Sequence, residues 1–372
     1  MYLAQLFDPR LLYAFLASAL TCAAIILAFS STHFRWFRSE DSRAVQSAHK
    51  RPTPRIGGVA LIGAIVFFAA FLAESVLLRY LTFCATLLPV FAAGLSEDLG
   101  LRISPRHRLF ASALSSLLAV TFLQIWLPRT DVPMLDALMT FAPFAIVLTV
   151  FLGATACNAF NLIDGLNGMA AGAAVLSALA LAAIAHTAGE TLLAQACLLL
   201  VAAVTGFLVF NYPLGRIFLG DAGAYSIGHI LFWLALLLMN RVESVSGVAL
   251  LLVFFWPVAD TIFSIYRRSL HRRAISQPDR LHYHQFVMRA LEVVWLGRAN
   301  RHIANPLATA VLMPMVAAPV VAGVMFWDNT PAAALSLLVL STLFVGSYIV
   351  GVRLAPRFRR GSPVRQLAMA GE

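Results

Sequence analysis

Eleven apolar stretches leave this 372-residue chain few ways to fold: near 11 to 30, 56 to 74, 76 to 95, 109 to 127, 140 to 158, 168 to 186, 191 to 211, 222 to 240, 245 to 266, 307 to 326 and 332 to 352. A helix that crosses a bilayer consumes roughly 20 apolar residues, and each stretch is about that long. The two longest runs, 56 to 95 and 140 to 186, divide at Glu74/Ser75 and around Asp164/Gly165. With 60% hydrophobic and only 12% charged residues, a single water-soluble core is excluded. The expectation is an all-α polytopic integral membrane protein of about eleven transmembrane helices, forming one domain over residues 1–372. The first apolar run has no small-residue cleavage site after it and reads as a retained span.

Charge then sets orientation. If alternate connections share a side, the segments 31–55, 96–108, 159–167, 212–221, 267–306 and the tail after 352 hold 23 of the 27 basic residues. The other side holds Arg10, Arg79, Arg129 and Arg241. The positive-inside rule places the richer set in the cytoplasm, with the N-terminus out and the C-terminus in. Seven of the nine histidines lie on the same set, which makes the loops near 31–55, 96–108, 159–167, 212–221 and 267–306 the expected active face. Cys22, Cys84, Cys157 and Cys197 all fall in apolar runs, without the spacing of a disulfide framework or a zinc site.

Five polar segments on that face could carry chemistry. The first contains Glu97-Asp98, then Ser104-Pro105-Arg106-His107-Arg108. Adjacent residues on a helix point about 100° apart, so Glu97 and Asp98 share a ligand only if the helix has ended; otherwise this is a charged loop with Ser104 capping the next helix. The second is Asn158-Ala-Phe-Asn161-Leu-Ile-Asp164-Gly165-Leu-Asn167-Gly168, inside a long apolar run. A carboxylate and three amides there are costly unless used, and the glycines permit a helix break that turns Asn161, Asp164 and Asn167 inward. The third, Gly215 to Gly223, puts Asp221 at a helix start between glycines, where it fits a site and an N-cap equally well. The fourth runs from Asp260 through Arg267, Arg268, His271, Arg272 and Arg273 to Pro278-Asp279-Arg280-Leu-His282-Tyr-His284. So many arginines favour phosphate contact over metal ligation for the histidines, whereas a loop resting on anionic lipid would explain the arginines alone. The fifth, His49-Lys-Arg-Pro-Thr-Pro-Arg55-Ile-Gly57-Gly58, is a proline-stiffened basic turn or a positive-inside anchor.

In this order the five segments resemble the motifs of the polyprenyl-phosphate N-acetylhexosamine-1-phosphate transferases, with WecA-like and MraY-like branches. The pieces that carry the likeness are 49 to 58, 94 to 98, N-A-F-N-L-I-D-G-L-N-G-M, R-I-F-L-G-D-A-G, Asp260 with its arginine pair, and P-D-R-L-H-Y-H. Two departures stand out: Glu97-Asp98 replaces the usual Asp-Asp, and His282-Tyr283-His284-Gln285 replaces H-x-H-H.

The resemblance implies transfer of a sugar-1-phosphate from a UDP-sugar to undecaprenyl phosphate, with release of UMP. It implies Mg2+, replaceable by Mn2+, on Asp221 and Asp164, and catalytic roles for Asp98, Asp164, Asp221, His282 and His284. Asn161, Asn167, Arg267, Arg268, Arg280, Arg106 and His49 are its expected substrate-holding residues. Lys50 is the only lysine, so no nucleotide-binding G-x-x-x-x-G-K-[ST] loop is present, as suits a reaction that exchanges one phosphoanhydride for another. The segment P-D-R-L-H-Y-H is closer to the branch that uses simple UDP-N-acetylhexosamines than to the muramyl-pentapeptide branch with its three-histidine run. The expected partners are the two substrates and the membrane, not nucleic acid, with a homodimer left open. A secondary transporter is the rival of another class; it would place polar groups at mid-bilayer and often shows inverted repeats, and no repeat is visible here.

Overall fold

A computed structural model describes residues 8–30, 53–270 and 282–361 of the chain. Among these the secondary structure is helical, without strands. The helices are α1 (Leu11–Ser30), α2 (Gly57–Phe68), α3 (Glu74–Thr86), α4 (Leu88–Asp98), α5 (Pro105–Leu123), α6 (Pro133–Met139), α7 (Ala142–Ile163) and α8 (Met169–Thr187). They continue with α9 (Thr191–Asn211), α10 (Gly220–Arg241), α11 (Gly247–Val253), α12 (Phe255–Leu270), α13 (Tyr283–Leu291), α14 (Arg301–Met325) and α15 (Thr330–Gly361).

Among the described residues seven helices are long and apolar enough to cross a membrane, or nine if two bent pairs each count as one span. The eleven apolar stretches thus divide into three kinds. Seven are single long helices. Two are broken: α3 and α4 meet at 44°, and α11 and α12 at 82°. The remaining two are α2, which is short, and α5, whose first turn carries Arg106 and Arg108. Hydropathy registers apolar content but carries no direction, so a helix that turns through 82° looks continuous in sequence.

The break between α3 and α4 has a local cause. Pro89 sits in the first turn of α4, where its ring cannot donate to the preceding helix. The Val90 N–H there donates to Ser115 Oγ of α5 at 3.0 Å. Thr86, at the end of α3, lies 3.2 Å from His229 Nε2 of α10. At the opposite end of the bundle Asp131 accepts the Gly247 N–H at 2.6 Å and fixes the start of α11. Backbone groups freed inside an apolar slab need such partners, because no water is there to supply them.

Helix α10 is buried along almost its whole length and forms the axis of the bundle, packed by α7, α4, α2 and α8. Lipid gives little hydrophobic drive for helix association, so close approach through small residues has to supply the packing. A Cβ built on Gly58 would fall 2.3 Å from Gly223 N, and one on Gly94 would fall 2.5 Å from Ala222 N. Both contacts are to backbone, which cannot move aside as a side chain can. The four cysteines are free and buried, as their apolar surroundings implied.

Gly58→Val is therefore expected to force α2 away from α10 and to lower the apparent unfolding temperature in detergent, by an overpacking cost of about 1–3 kcal/mol or more. Gly63→Val is the control, since nothing lies within 4 Å of a Cβ there. Equal thermal shifts in the two variants would remove the argument for this contact.

Candidate active site

The site forms where helix ends from separate parts of the chain meet. Residues 54–58 run beside 218–219: Phe218 N–H donates to Pro54 O (2.9 Å), Gly57 N–H to Phe218 O (2.9 Å) and Gly58 N–H to Leu219 O (2.8 Å). The first amides of α2, which no helical carbonyl can satisfy, are thereby paired. The first amides of α10 are paired by a carboxylate: Asp98 Oδ1 accepts from Asp221 N–H at 2.8 Å and Oδ2 from Ala222 N–H at 2.9 Å. Gly220 joins these elements with φ +75°, and a Cβ on it would fall 2.0 Å from Arg55 O and 2.5 Å from Asp98 Oδ2. Only glycine suits that position.

Asp221 is held on both oxygens. Arg108 Nη1 of α5 pairs with Oδ2, and Asn161 Nδ2 of α7 donates to Oδ1 at 3.0 Å. Glu97 faces Arg108 electrostatically, and its Oε2 is buried without a hydrogen-bond partner among the described residues. Asp164 follows the last residue of α7. Burial pushes its carboxyl up to about 7, opposed by the charge of Arg55 and assisted by that of Asp221.

A second cluster adjoins the first. Asp260 is almost fully buried on α12; its Oδ1 accepts the Tyr283 N–H at 2.9 Å and its Oδ2 lies 2.9 Å from His282 Nδ1. His284 Nδ1 lies 3.9 Å from the same oxygen, and the two imidazoles stack with centroids 5.7 Å apart. The break between α7 and α8 links the clusters: a Cβ on Gly165 would fall 2.2 Å from His284 Nε2. Gly168, at φ +76°, supplies the turn itself.

Asp98, Asp164, Asp221, Asn161, His282 and His284 are thus brought together. Other expected site residues are placed differently. Asn167 serves as a joint, its N–H bonded to Asn305 Oδ1 at 2.8 Å and its Nδ2 to Pro213 O at 3.2 Å. Arg267 donates to Tyr348 Oη at 2.6 Å and lies over the Phe263 and Tyr348 rings. Arg268 is the next residue on α12. Arg106 is exposed. His49 and Arg280 lie outside the described residues.

Arg108 and Arg55 were missed as site residues, and the signal for Arg108 was present. Ala111, Ser112, Ser115, Ser116 and Ala119 form the buried stripe of α5, and helical spacing carries that stripe back to position 108 rather than 106.

The residues fit a divalent cation of the Mg2+ type. Asp221 and Asp164 are hard oxygen donors close enough to interact, and Mg2+ is commonly held by one or two carboxylates together with substrate phosphates. Among the described residues no group of three or more His, Cys, Asp or Glu side chains makes a closed metal cage.

The sequence profile of glycosyl transferase family 4 matches residues 80–239, which include Asp98, Arg108, Asn161, Asp164 and Asp221. The chain is 29% identical over 282 residues to the probable undecaprenyl-phosphate N-acetylglucosaminyl 1-phosphate transferase of Bacillus subtilis (strain 168), covering 75% of this chain and 77% of that one. It is 29% identical over 258 residues to the undecaprenyl-phosphate alpha-N-acetylglucosaminyl 1-phosphate transferase of Yersinia pestis, covering 67% and 69%. The protein of that name from Escherichia coli (strain K12) is 27% identical over 255 residues, with the same coverage. A multi-pass helical membrane protein with these motifs converging at one end of its bundle, the chain is similar to glycosyl transferase family 4 over residues 80–239.

The geometry assigns Asp98 to the start of α10. Asp98→Ala is expected to cost about 0.5–2 kcal/mol, the usual range for loss of a helix N-cap. Hydrogen exchange should quicken at the Asp221 and Ala222 amides, whereas Glu97→Ala should leave those amides protected. Unchanged protection in Asp98→Ala would refute the cap.

Proposed function

We propose that the protein transfers a sugar-1-phosphate from a UDP-N-acetylhexosamine, GlcNAc or a modified relative, to undecaprenyl phosphate, releasing UMP and starting a lipid-linked envelope glycan. The observation that carries this reading is the Asp98, Asp221, Arg108 and Asn161 constellation at one end of a membrane bundle. The activities named for the relatives supply its chemical class.

In that reaction an oxygen of the lipid phosphate attacks the phosphorus bearing the sugar, the bond to the bridging oxygen breaks, and the bridging oxygen leaves with UMP. One phosphoanhydride replaces another, so catalysis consists of positioning and charge neutralisation. The second pKa of a phosphate monoester is about 6, so the acceptor is already mostly dianionic at neutral pH. Asp98, accepting two helix amides, holds Asp221 in place instead of removing a proton. Asp221 and Asp164 would hold Mg2+, with Mn2+ as a substitute, and the ion would neutralise charge gathering on the departing UMP. Arg108 and Asn161 orient Asp221. The Asp260 carboxylate fixes the His282 ring by its Nδ1 edge, which turns Nε2 to the opposite side as a candidate contact for the donor's phosphates, while the buried His284 backs the Gly165 turn.

Purified protein is expected to release UMP from UDP-GlcNAc with undecaprenyl phosphate, to stop in EDTA, and to do little with UDP-MurNAc-pentapeptide. Asp221→Asn should abolish turnover and Arg108→Ala should lower it at least about tenfold, while Arg106→Ala stays within about twofold. Preference for the pentapeptide donor would move the protein to the other branch; no UMP from any UDP-sugar would end the reading.

The same reading places the site in the cytoplasm, with the N-terminus out and the C-terminus in. Because the native cysteines are buried, a single cysteine introduced near position 360 should react with an impermeant thiol reagent only after cells are opened. Labelling of intact spheroplasts would invert the topology.

A further inference from the structure

Among the described residues the Asp164 carboxylate takes no hydrogen bond, so its place is set by the backbone that carries it. That backbone is the turn from Asp164 to Gly168, between α7 and α8. Building on the function proposed above, we propose that Asn305 and Thr309 of α14 are positioning residues for this turn, fixing where Asp164 stands beside Asp221 for the divalent cation the two would hold.

A helix that ends leaves its last carbonyls unpaired, and one that begins leaves its first amides so. In an apolar interior those groups need protein partners. Asn167 takes both of its main-chain partners from α14: its N–H donates to Asn305 Oδ1 at 2.8 Å, and its carbonyl accepts from Thr309 Oγ1 at 2.8 Å. Asn305 and Thr309 are four residues apart and so share one face of α14, which lets a single helix grip Asn167 from both sides. They are only 3% and 2% exposed, so water does not replace either bond when it is lost. The next amide, that of Gly168, donates to Asn211 Oδ1 at 2.7 Å, and Asn211 Nδ2 donates to Ile217 O at 2.8 Å on the way into α10. The turn is thus tied at Gly168 to the segment that carries Asp221, and α14 keeps it from swinging about that tie.

The same helix reaches the second cluster. α13, which begins with Tyr283 and His284, packs against α14, and Arg301 at the start of α14 pairs with Glu292 at 3.2 Å. His284 lies against Gly165, the residue after Asp164. α14 therefore holds the turn directly at Asn167 and, through α13, at Gly165. Neither Asn305 nor Thr309 has to touch the cation for this to matter, because partners that only orient a metal ligand change metal affinity roughly 10–100-fold when they are altered.

Thr309→Val keeps the shape of the side chain and removes the hydroxyl, whereas Asn305→Ala removes the acceptor. In each variant the Mg2+ concentration for half-maximal UMP release should rise about tenfold, and Mn2+ binding to the substrate-free protein, followed by electron paramagnetic resonance, should weaken by about the same factor. Thr309→Ser retains the hydroxyl and should bring both back to within about twofold of the unaltered protein. Ser177→Ala is the control for a purely structural loss: it removes a buried bond of the same kind, from Ser177 Oγ to Val253 O at 2.9 Å, and should change neither. Unaltered Mg2+ and Mn2+ dependence in Thr309→Val and Asn305→Ala, no recovery in Thr309→Ser, or an equal shift in Ser177→Ala overturns the assignment. Absence of UMP release in the unaltered protein would instead refute the proposed reaction. The Mn2+ arm would still decide the positioning role, and an unaltered protein that binds no Mn2+ would count against it.

Discussion

The carboxylate of Asp98 sits where four parts of the chain have to agree. Its two hydrogen bonds tie the end of α4 to the first turn of α10. Gly220 removes the Cβ that would separate them from the 54–58 segment, and that segment in turn lends its amides to the carbonyls of Phe218 and Leu219. Two helix starts thus satisfy their orphan donors with each other's surroundings instead of with water. A carboxylate that accepts from two amides acts as a helix cap supplied from another helix, and the surrounding low dielectric makes an unpaired alternative costly. Asp221 stands on the residue so fixed, which is why its geometry toward Arg108 and Asn161 is inherited from a cap on another helix.

The broken spans serve the same end. A straight helix crossing the bilayer can offer polar side chains only at its ends or to a costly interior. Bending α11 into α12 by 82° redirects the later turns of that span, so that Asp260 meets His282 and the Tyr283 amide instead of lipid. At the α3–α4 bend, Ser115 answers the Val90 amide and His229 lies at the Thr86 hydroxyl. These polar contacts sit in an otherwise apolar interior, at positions set by the bend.

Residues that are expensive in an apolar run were legible in the sequence. Asn161, Asp164 and Asp221 stood out because nothing about a membrane helix calls for them, and the structure gathers them. Ser104 likewise caps α5, accepting the His107 N–H. Direction was not legible. Arg106 and Arg108 read alike as charges, and only the facing of α5 separates the exposed one from the partner of Asp221. Asn167 is polar like its neighbours Asn161 and Asp164 but lies in the turn between α7 and α8, where its amides secure the turn to Pro213 and α14. Gly165 and Gly168 both suggested a break; Gly168 has the positive φ, whereas Gly165 is small because His284 lies against it. That contact joins residues far apart in sequence, and no local pattern encodes it.

Three carboxylates in one dry corner pose an electrostatic problem that the fold solves unequally. Asp98 is committed to two amides, and Asp221 to Arg108 and Asn161. Asp164 has no hydrogen bond to its carboxylate among the described residues, and burial raises its pKa toward neutrality. Of the three it is the acid whose carboxylate takes no hydrogen bond among the described residues, and a divalent cation would stabilise its charged form. On the proposed reading the division of labour follows directly. Asp98 holds the backbone, Asp221 is pre-aimed by an arginine and an amide, and Asp164 would hold the cation together with Asp221.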